Sequence, residues 1–339
     1  MRCPDSIGDE RGIALFIVLW VLVLLSVIAG EFSHAMRTAV NITRNFTEET
    51  RAYYIARAGA NAAIRNLIRQ ETRPTRRVSV ETADSSGTNQ DWRVNTDIAP
   101  VPFGGGSFQV RIENESGKVD LNGADAPLLR VMLNPFDLTD TEKDVIVDSI
   151  LDWRDSDSFH RINGAEDDYY LSLPDPYAAR NGPFLSIGEL LLVRGVTPDI
   201  FYGGLENMVT VRSGEGGGGR SQIFGGGGNR RKVRNRININ AASPKLLDAL
   251  PGISPEQIQA IHNFRAKKDL EAPGELQFLL GDEIYAAIAP YVMFENSSYF
   301  TVEASGSRSD SPVRSSLQVV VEVDPRLERK YRIVQWFEG

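Results

Sequence analysis

The hydrophobic pattern of the chain changes abruptly after its first twelve residues. From Ile13 to Ala29 every side chain is apolar except Ser26. As a helix this run spans about 25 Å, close to the roughly 30 Å hydrocarbon core of a bilayer. The charged residues before it end at Arg11-Gly12, so the small residue that suits a processing site precedes the apolar run instead of following it. The pattern predicts a membrane-spanning helix that cleavage after this glycine leaves on the mature protein.

The apolar segment is predicted to continue as an amphipathic helix. No proline occurs between Pro4 and Pro74, so this stretch contains no residue that removes a helical backbone donor. We therefore predict a single helix from Ile13 to about Gln70, roughly 85 Å long. Apolar side chains recur on one helical face at steps of three, four and seven residues: Phe46, Tyr53, Ala60, Ile64 and Leu67.

Two groups of strand-like segments are separated by a long helical stretch. Residues 92–95 and 107–115 alternate apolar and polar side chains, as half-buried strands do. Similar segments return only near the end of the chain, at 299–304, 317–323 and 331–337. The sequence thus predicts an α+β fold, in which the long helix packs on a small antiparallel sheet and a large all-α domain is inserted into the sheet.

The inserted region contains an internal repeat. Residues 119–129 (VDLNGADAPLL) match residues 237–247 (ININAASPKLL), and ILDWR ending at Arg154 matches IHNFR ending at Arg265. Such self-similarity indicates one supersecondary unit that occurs twice. The insert is therefore predicted to contain two similar helical units of the helix-hairpin-helix or SAM-like kind.

In both copies a capping residue precedes the first predicted helix. Asp125 and Ser243 stand where N-caps belong, which predicts helix starts at about residues 126 and 244. Between the copies, the glycine-rich stretch 213–229 is too poor in apolar residues to bury a surface, and we interpret it as a loop without chemistry.

These patterns divide the chain into five predicted parts. They are a leader (1–12), the membrane part of the N-terminal helix (13–30), a first α/β part (31–117), the inserted helical domain with its glycine-rich loop (118–294) and a second α/β part (295–339).

Composition and charge narrow the range of functions that the chain can have. The 339 residues carry a net charge of −8, which opposes nucleic acid as a general partner because phosphate binding needs concentrated Lys and Arg. The basic cluster at 230–236 adjoins the glycine-rich loop, and we interpret it as a solvated flank. Cys3, the only cysteine, lies in the leader, so the processed protein has no thiol for a disulfide.

An acidic loop follows the ILDWR segment of the first copy. Eight carboxylates lie within residues 148–175, and hard oxygen ligands at this density suit Ca²⁺. An EF-hand alignment can be started at Asp155 as its first position. Asp157 and Glu166 then fill the third and twelfth positions, but a phenylalanine and a histidine occupy the fifth and sixth. The regular EF-hand loop is thereby excluded, which leaves an irregular calcium loop or a solvated acidic loop.

Other motifs point away from DNA binding and catalysis. The turn at 250–254 (LPGIS) resembles that of a helix-hairpin-helix unit. However, Ser254 and Pro255 replace the second glycine usual in DNA-binding hairpins, and Glu256 adds negative charge where a phosphate would lie, which favours a structural hairpin. The three histidines (His34, His160, His262) lack HExxH spacing, and GxSxG is absent from the sequence. The chain is therefore predicted to be non-enzymatic, with a paired-carboxylate hydrolase in the acidic loop as the remaining catalytic alternative.

Taken together, these features resemble the type IV pilin and type II secretion pseudopilin family, and within it the large minor pseudopilins of the general secretion pathway protein K family. The leader with Gly12 and the long helix carry the first resemblance. The second rests on the segments 164–177 (GAEDDYYLSLPDPY) and 184–196, which contains ELLLVRGV, and on the ININAASP block.

The resemblance implies a processing site between Gly12 and Ile13, cleaved by prepilin peptidase, and methylation of the mature protein. Members usually carry Glu as the fifth mature residue, and here that position is Ile17, which points to a place at the tip of the filament. A single-pass inner-membrane location with the bulk in the periplasm is implied as well. The resemblance further implies structural Ca²⁺, with the ligand set Asp155, Asp157, Glu166, Asp167 and Asp168.

The implied function is a minor pseudopilin that caps the pseudopilus and initiates its assembly. Its expected partners are the minor pseudopilins I and J, with possible contacts to the secretin and to secreted substrates, and no nucleic acid. Two alternatives stay open at this point: a membrane-tethered DNA-uptake receptor that uses the hairpin repeats, and a minor tip pilin of a type IV pilus.

Overall fold

A computed structural model describes residues 10–72, 92–212 and 236–338. The leader up to residue 9 with Cys3, the glycine-rich loop and most of the basic cluster after it lie outside the described residues. Within them the strands are β1 (Val101–Phe103), β2 (Gly106–Asn114), β3 (Val119–Asp120), β4 (Val209–Thr210), β5 (Ile237–Asn238), β6 (Val292–Met293), β7 (Tyr299–Arg308), β8 (Arg314–Val323) and β9 (Tyr331–Glu338).

The helices of the described residues follow the same order along the chain. They are α1 (Glu10–Thr72), α2 (Ala126–Met132), α3 (Asp140–Arg154), α4 (Asp167–Tyr170), α5 (Pro198–Tyr202), α6 (Pro244–Asp248), α7 (Pro255–Lys267), α8 (Pro273–Leu280) and α9 (Asp282–Ile288), with 3₁₀ turns at Glu115–Gly117, Ile187–Leu192 and Leu205–Asn207.

The long N-terminal helix is confirmed, since α1 is continuous over 63 residues. Its span Ala14–Gln70 contains a segment long and apolar enough to cross a membrane. Every side chain from Ala14 to Phe46 is exposed, whereas Ala52, Ile64 and others beyond them are buried against the sheet. Phe46, a member of the predicted apolar stripe, is 70% exposed because the sheet covers the helix only further along.

Strands from both ends of the chain form one antiparallel sheet. Its order is β1-β2-β7-β8-β9, and small residues let α1 approach it closely. A Cβ at Gly306 of β7 would overlap the backbone of α1 at Ala52 and Ala56. The predicted segment at 92–95 is a turn and not a strand, because Asn95 adopts a left-handed conformation with φ of 61°.

The predicted repeat folds as two similar units with a shared core. β3 pairs in parallel with β4, and β5 pairs in parallel with β6, so each unit contains a short strand pair beside its helices. The predicted helix starts are confirmed: the side chain of Asp125 accepts from the Leu128 amide at 3.2 Å, and that of Ser243 accepts from the Leu246 amide at 3.2 Å.

Equivalent arginines stabilise the same turn in both units. Arg154 donates to the carbonyls of Leu121 and Ala124. Arg265 donates to the Ile239 carbonyl at 2.8 Å and to the equivalent alanine carbonyl at 2.9 Å. Burial lowers the pKa of both guanidinium groups, that of Arg265 to about 10. These bonds explain why the final arginine recurs in ILDWR and IHNFR.

Equivalent asparagines show where the two units differ. Asn122 bonds to both the amide (2.7 Å) and the carbonyl (3.0 Å) of Phe184. Asn240 makes the same pair of bonds with Leu270, at 2.8 and 2.9 Å. Between the arginine and this partner, the first copy contains residues 155–183, whereas the second contains only 266–269. The acidic loop is therefore an additional segment of the first copy.

The insert joins the sheet at the end that lies farther along α1. Arg308, at one end of β7, lies 3.6 Å from Glu48 of α1. Asn114 pairs with the other end of β7 and contacts the turn at residues 92–95. This turn accepts a hydrogen bond from Gln70, which is farther along α1 than Glu48. The buried Asn114 accepts from the Ser116 and Ser297 amides, both at 3.0 Å, which ties together the two chain crossings into the insert. The insert thus extends away from the apolar part of α1.

Candidate metal centre

The acidic loop begins at the end of α3, a helix fixed at its start by a capping box. Thr139 and Glu142 exchange side-chain and backbone bonds there. Steps of four and three place Asp148, Asp152 and Asp155 on one face of the helix end. The first two receive the returning loop: Asp148 accepts from the amide of residue 163 at 3.1 Å, and Asp152 accepts from that of residue 161 at 3.0 Å.

Three carboxylates converge beside this helix end. Asp155, Asp157 and Glu166 each offer an oxygen atom, and these atoms lie within 4.8 Å of one another. Glu166 is only 2% exposed, and neither of its side-chain oxygens has a hydrogen-bond partner among the described residues. The Oδ1 atom of Asp155 is likewise buried and unpartnered among the described residues. Buried carboxylate oxygens without donors are costly, so this arrangement requires a proton or a cation.

The pKa values report the same deficit of positive charge. Burial, followed by the negative charges of Asp152, Asp155, Asp157 and Asp167, raises the pKa of Glu166 to about 7. Burial also raises the pKa of Asp152, although its bonds to the neighbouring arginine oppose that shift. A divalent cation beside these groups would favour their ionised forms.

The residues present fit a calcium ion. Oxygens that bind one Ca²⁺ at about 2.3–2.6 Å lie at most about 5 Å apart, which agrees with the convergence of the three carboxylates. Asp155, Asp157 and Glu166 would hold the ion, which would supply charge neutralisation and cross-link the loop. The other two residues of the expected ligand set lie outside this group: Asp167 accepts from the Ala179 amide at 2.6 Å, and Asp168 is exposed.

Three residues outside the expected ligand set also shape the site. Asp152 is fully buried, and Arg161 pairs with both Asp152 and Asp155. Gly164 is required because a Cβ there would overlap the carboxylate of Asp152. In the sequence, the glycine two residues before Glu166 is the one sign of this close contact. Its role becomes clear only from the fold, in which the loop returns onto α3.

An aromatic layer supports the base of the loop. The ring of Trp153 packs edge-on against that of Tyr170, with centroids 5.2 Å apart. Arg194 holds the layer to the loop: its amide donates to the Tyr170 hydroxyl at 3.2 Å, and its side chain donates to the Gly164 carbonyl at 3.0 Å. The same guanidinium lies 4.7 Å from the centroid of the Tyr169 ring.

The hairpin of the second copy is built from its own side chains. Gly252 has φ of 79°, which the tight turn requires. Ser254 and Gln257 form a capping box, in which the amide of Gln257 donates to the Ser254 hydroxyl at 3.3 Å. This amide at the start of α7 is therefore already satisfied within the hairpin, as expected of a structural turn.

The predicted processing residues lie at the start of the described chain. Gly12 and Ile13 belong to the first turns of α1. Cleavage between them stays a prediction, since the residues before Glu10 lie outside the described part.

The fold and the site together define a class of protein. A helix that can span a membrane continues onto an antiparallel sheet, and the sheet carries a helical insert with a candidate cation site; this is the architecture of a pilin-like protein. Residues 111–214 match the family model described as type II secretion system, protein K. Over these residues, and in the relatives described next, the chain is similar to the type II secretion system protein K family.

Individual relatives show the same similarity. The chain is 27% identical to type II secretion system protein K of Aeromonas hydrophila, in an alignment covering 58% of this chain and 62% of the relative. It is 25% identical to the Pseudomonas aeruginosa protein of the same name, over 78% of this chain and 74% of that one. The alignment with the Aeromonas protein thus spans less than two thirds of that relative.

A solved structure shows the same fold. It is a chain of the GspK-GspI-GspJ complex of the type 2 secretion system of enterotoxigenic Escherichia coli, with a TM-score of 0.58 and 17% identity. The match covers 88% of this chain and 99% of that one. The predicted α+β fold, with a long helix, an antiparallel sheet and a helical insert, is thereby confirmed.

Proposed function

We propose that the protein is a non-enzymatic minor pseudopilin that caps the type II secretion pseudopilus and initiates its assembly. The observation that carries this proposal is the position of the insert. It joins the sheet at the end farther along α1, whereas the apolar residues from Ala14 onward project from the other end. A subunit of this shape can pack its exposed helix against those of subunits below, while the insert obstructs a subunit above.

The apolar half of α1 fixes the location and the direction of assembly in this proposal. α1 anchors the protein in the inner membrane, and the sheet and insert lie in the periplasm. Ile17 replaces the acidic residue that a subunit inside the shaft would use to pair with a neighbour. A tip subunit has no neighbour above it, and a carboxylate at mid-bilayer depth would cost about 2.5–3.5 kcal/mol.

The proposed partners of this chain correspond to the other two proteins of the similar solved complex. That solved complex contains GspI and GspJ beside GspK, and we propose that the minor pseudopilins I and J of the same organism bind this chain. Prepilin peptidase would process it between Gly12 and Ile13, and the exposed insert could contact the secretin or secreted substrates.

We further propose that Asp155, Asp157 and Glu166 bind a structural Ca²⁺. The support is the pair of unpartnered, buried Glu166 oxygens beside two further carboxylates. The ion would hold the acidic loop of the first copy against α3. Binding would raise the melting temperature of the full-length protein in detergent, measured with calcium and with EDTA; equal temperatures would remove the structural ion from the proposal.

Electron microscopy of sheared pseudopili tests the tip position. A short epitope placed in the glycine-rich loop of the full-length chain, labelled with gold, is expected at one end of each filament. A major pseudopilin carrying the same epitope is the control and should label along the length. Labelling of this chain along the shaft would contradict capping.

A further inference from the structure

Arg161 lies inside the acidic loop and contacts two of its carboxylates. Its Nη1 atom lies 2.7 Å from Oδ2 of Asp155 and also donates to Asp152. Its backbone amide donates to the other oxygen of Asp152 at 3.0 Å. Arg161 therefore pairs with the helix side of the acidic cluster through both its side chain and its backbone.

The charges of the cluster are compensated unevenly. Asp152 is 0% exposed, and a carboxylate buried to this degree needs a cation or several donors. Arg161 supplies one positive charge on that side. On the opposite side, the Glu166 oxygens and Asp155 Oδ1 have no hydrogen-bond partner among the described residues. Asp155 thus lies between the guanidinium and the unpartnered part of the cluster.

A calcium ion held by Asp155, Asp157 and Glu166 would share Asp155 with Arg161. Two consequences follow. The guanidinium repels the ion, because like charges in a partly buried site are poorly screened, and it also neutralises charge that would otherwise attract the ion. The side chain of Arg161 is 40% exposed, so it has room to move outward when a second cation binds.

We propose that Arg161 is an internal counter-ion that competes with calcium for the acidic cluster, stabilising the loop when calcium is absent and weakening calcium binding. This inference rests on the proposed calcium site. It differs from a positioning role, in which Arg161 would orient Asp155 toward the ion, because the two roles predict opposite effects on calcium affinity when the arginine is removed.

The test uses the full-length chain in detergent, with calcium affinity measured by isothermal titration calorimetry and thermal unfolding followed in EDTA. Arg161→Gln is expected to bind calcium roughly tenfold more tightly than the unmodified chain, because one repelling charge is removed. Its melting temperature in EDTA should fall by a few degrees, since Asp152 loses its charged partner and keeps only the backbone bond from residue 161. The shift of melting temperature on adding calcium should therefore be larger than in the unmodified chain.

Two further variants separate competition from other effects. Arg180→Gln removes the same charge from the same loop, but Arg180 bonds to the Pro183 carbonyl and lies near Glu189, away from the cluster; its calcium affinity should change less than twofold. Arg161→Lys keeps the charge but loses the planar guanidinium whose Nη1 atom donates to both carboxylates, so it should bind two- to threefold more tightly and provides the test if Arg161→Gln does not fold in EDTA.

The outcomes distinguish a failure of the competition proposal from a failure of the calcium site itself. If the unmodified chain binds calcium and the Arg161 variants bind it equally well or more weakly, competition is overturned and the calcium site remains. If the unmodified chain does not bind calcium at all, both proposals fail.

Discussion

The two copies of the repeated unit share a scaffold and differ in one loop. Both use an arginine at the end of a helix to hold the turn after the first strand, and both use an asparagine to hold the chain where it returns. Only the first copy carries residues 155–183, with the candidate metal centre, whereas the second has residues 266–269 at the equivalent place. The second copy has the same scaffold without an acidic loop, so the candidate cation site is an addition to the unit and not part of its core.

The largest expected effect is on the shared scaffold. Arg265→Ala removes the donors to the Ile239 and Ala242 carbonyls, and we expect a loss of about 2–4 kcal/mol in the free energy of unfolding. Arg154→Ala should cost a similar amount in the first copy. Urea unfolding of the full-length chain followed by circular dichroism measures both. A loss below about 1 kcal/mol for either variant would show that the bonds from that arginine contribute little to the stability of its unit.

The second prediction separates the copies. Gly164→Ala should cost about 2 kcal/mol and weaken calcium binding, because the added methyl group overlaps the Asp152 carboxylate in a packed site. Gly274→Ala, in the second copy, is the matched control. No heavy atom lies within 4 Å of its added Cβ, so a change within about 0.5 kcal/mol is expected. Equal effects of the two substitutions would break the distinction between the copies.

Glu166→Gln is expected to act in opposite directions with and without calcium. In EDTA it should stabilise the chain by about 1 kcal/mol, because it removes a buried carboxylate that is surrounded by others. In calcium it should abolish most of the increase in melting temperature. Asp168→Asn is the control, since Asp168 is exposed and outside the convergent group. If Asp168→Asn also abolished the calcium response, the calcium site would include more than the three convergent carboxylates.

The smallest expected effect is a dependence of stability on pH in EDTA. The pKa of Glu166 is raised to about 7 in the folded chain, above its ordinary value of 4.5, so the folded state binds more protons between these values. Its contribution to stability is therefore complete below about pH 4.5 and is lost as the pH rises to about 7. Melting temperatures at several pH values measure this trend, and Glu166→Gln should flatten it. An unchanged trend in that variant would assign it to another group.

Much of this organisation could be predicted from the sequence because it depends on local pattern. The uninterrupted run from Ile13, the N-caps Asp125 and Ser243 and the recurrence of ILDWR as IHNFR each act over a few residues. The strand predicted at residues 92–95 is wrong because alternation alone does not reveal the left-handed turn at Asn95.

The candidate site was predictable only in part. The density of carboxylates predicts an acidic loop suited to calcium, and the resemblance adds Asp155, Asp157 and Glu166 as ligands, but their separation from Asp167 and Asp168 depends on how the loop returns to α3. Burial of Asp152 and its pairing with Arg161 are tertiary effects that no local pattern of charge contains. The sequence shows where the charges are, and packing decides which of them remain without partners.

Hydrogen–deuterium exchange of the full-length chain, compared in calcium and in EDTA, tests most directly whether the cation orders the additional loop. We predict that calcium slows exchange in residues 155–183 and in the end of α3, and leaves residues 237–294 of the second copy unchanged. Equal exchange in the acidic loop under both conditions, or equal protection of both copies, would contradict a cation site confined to the first copy.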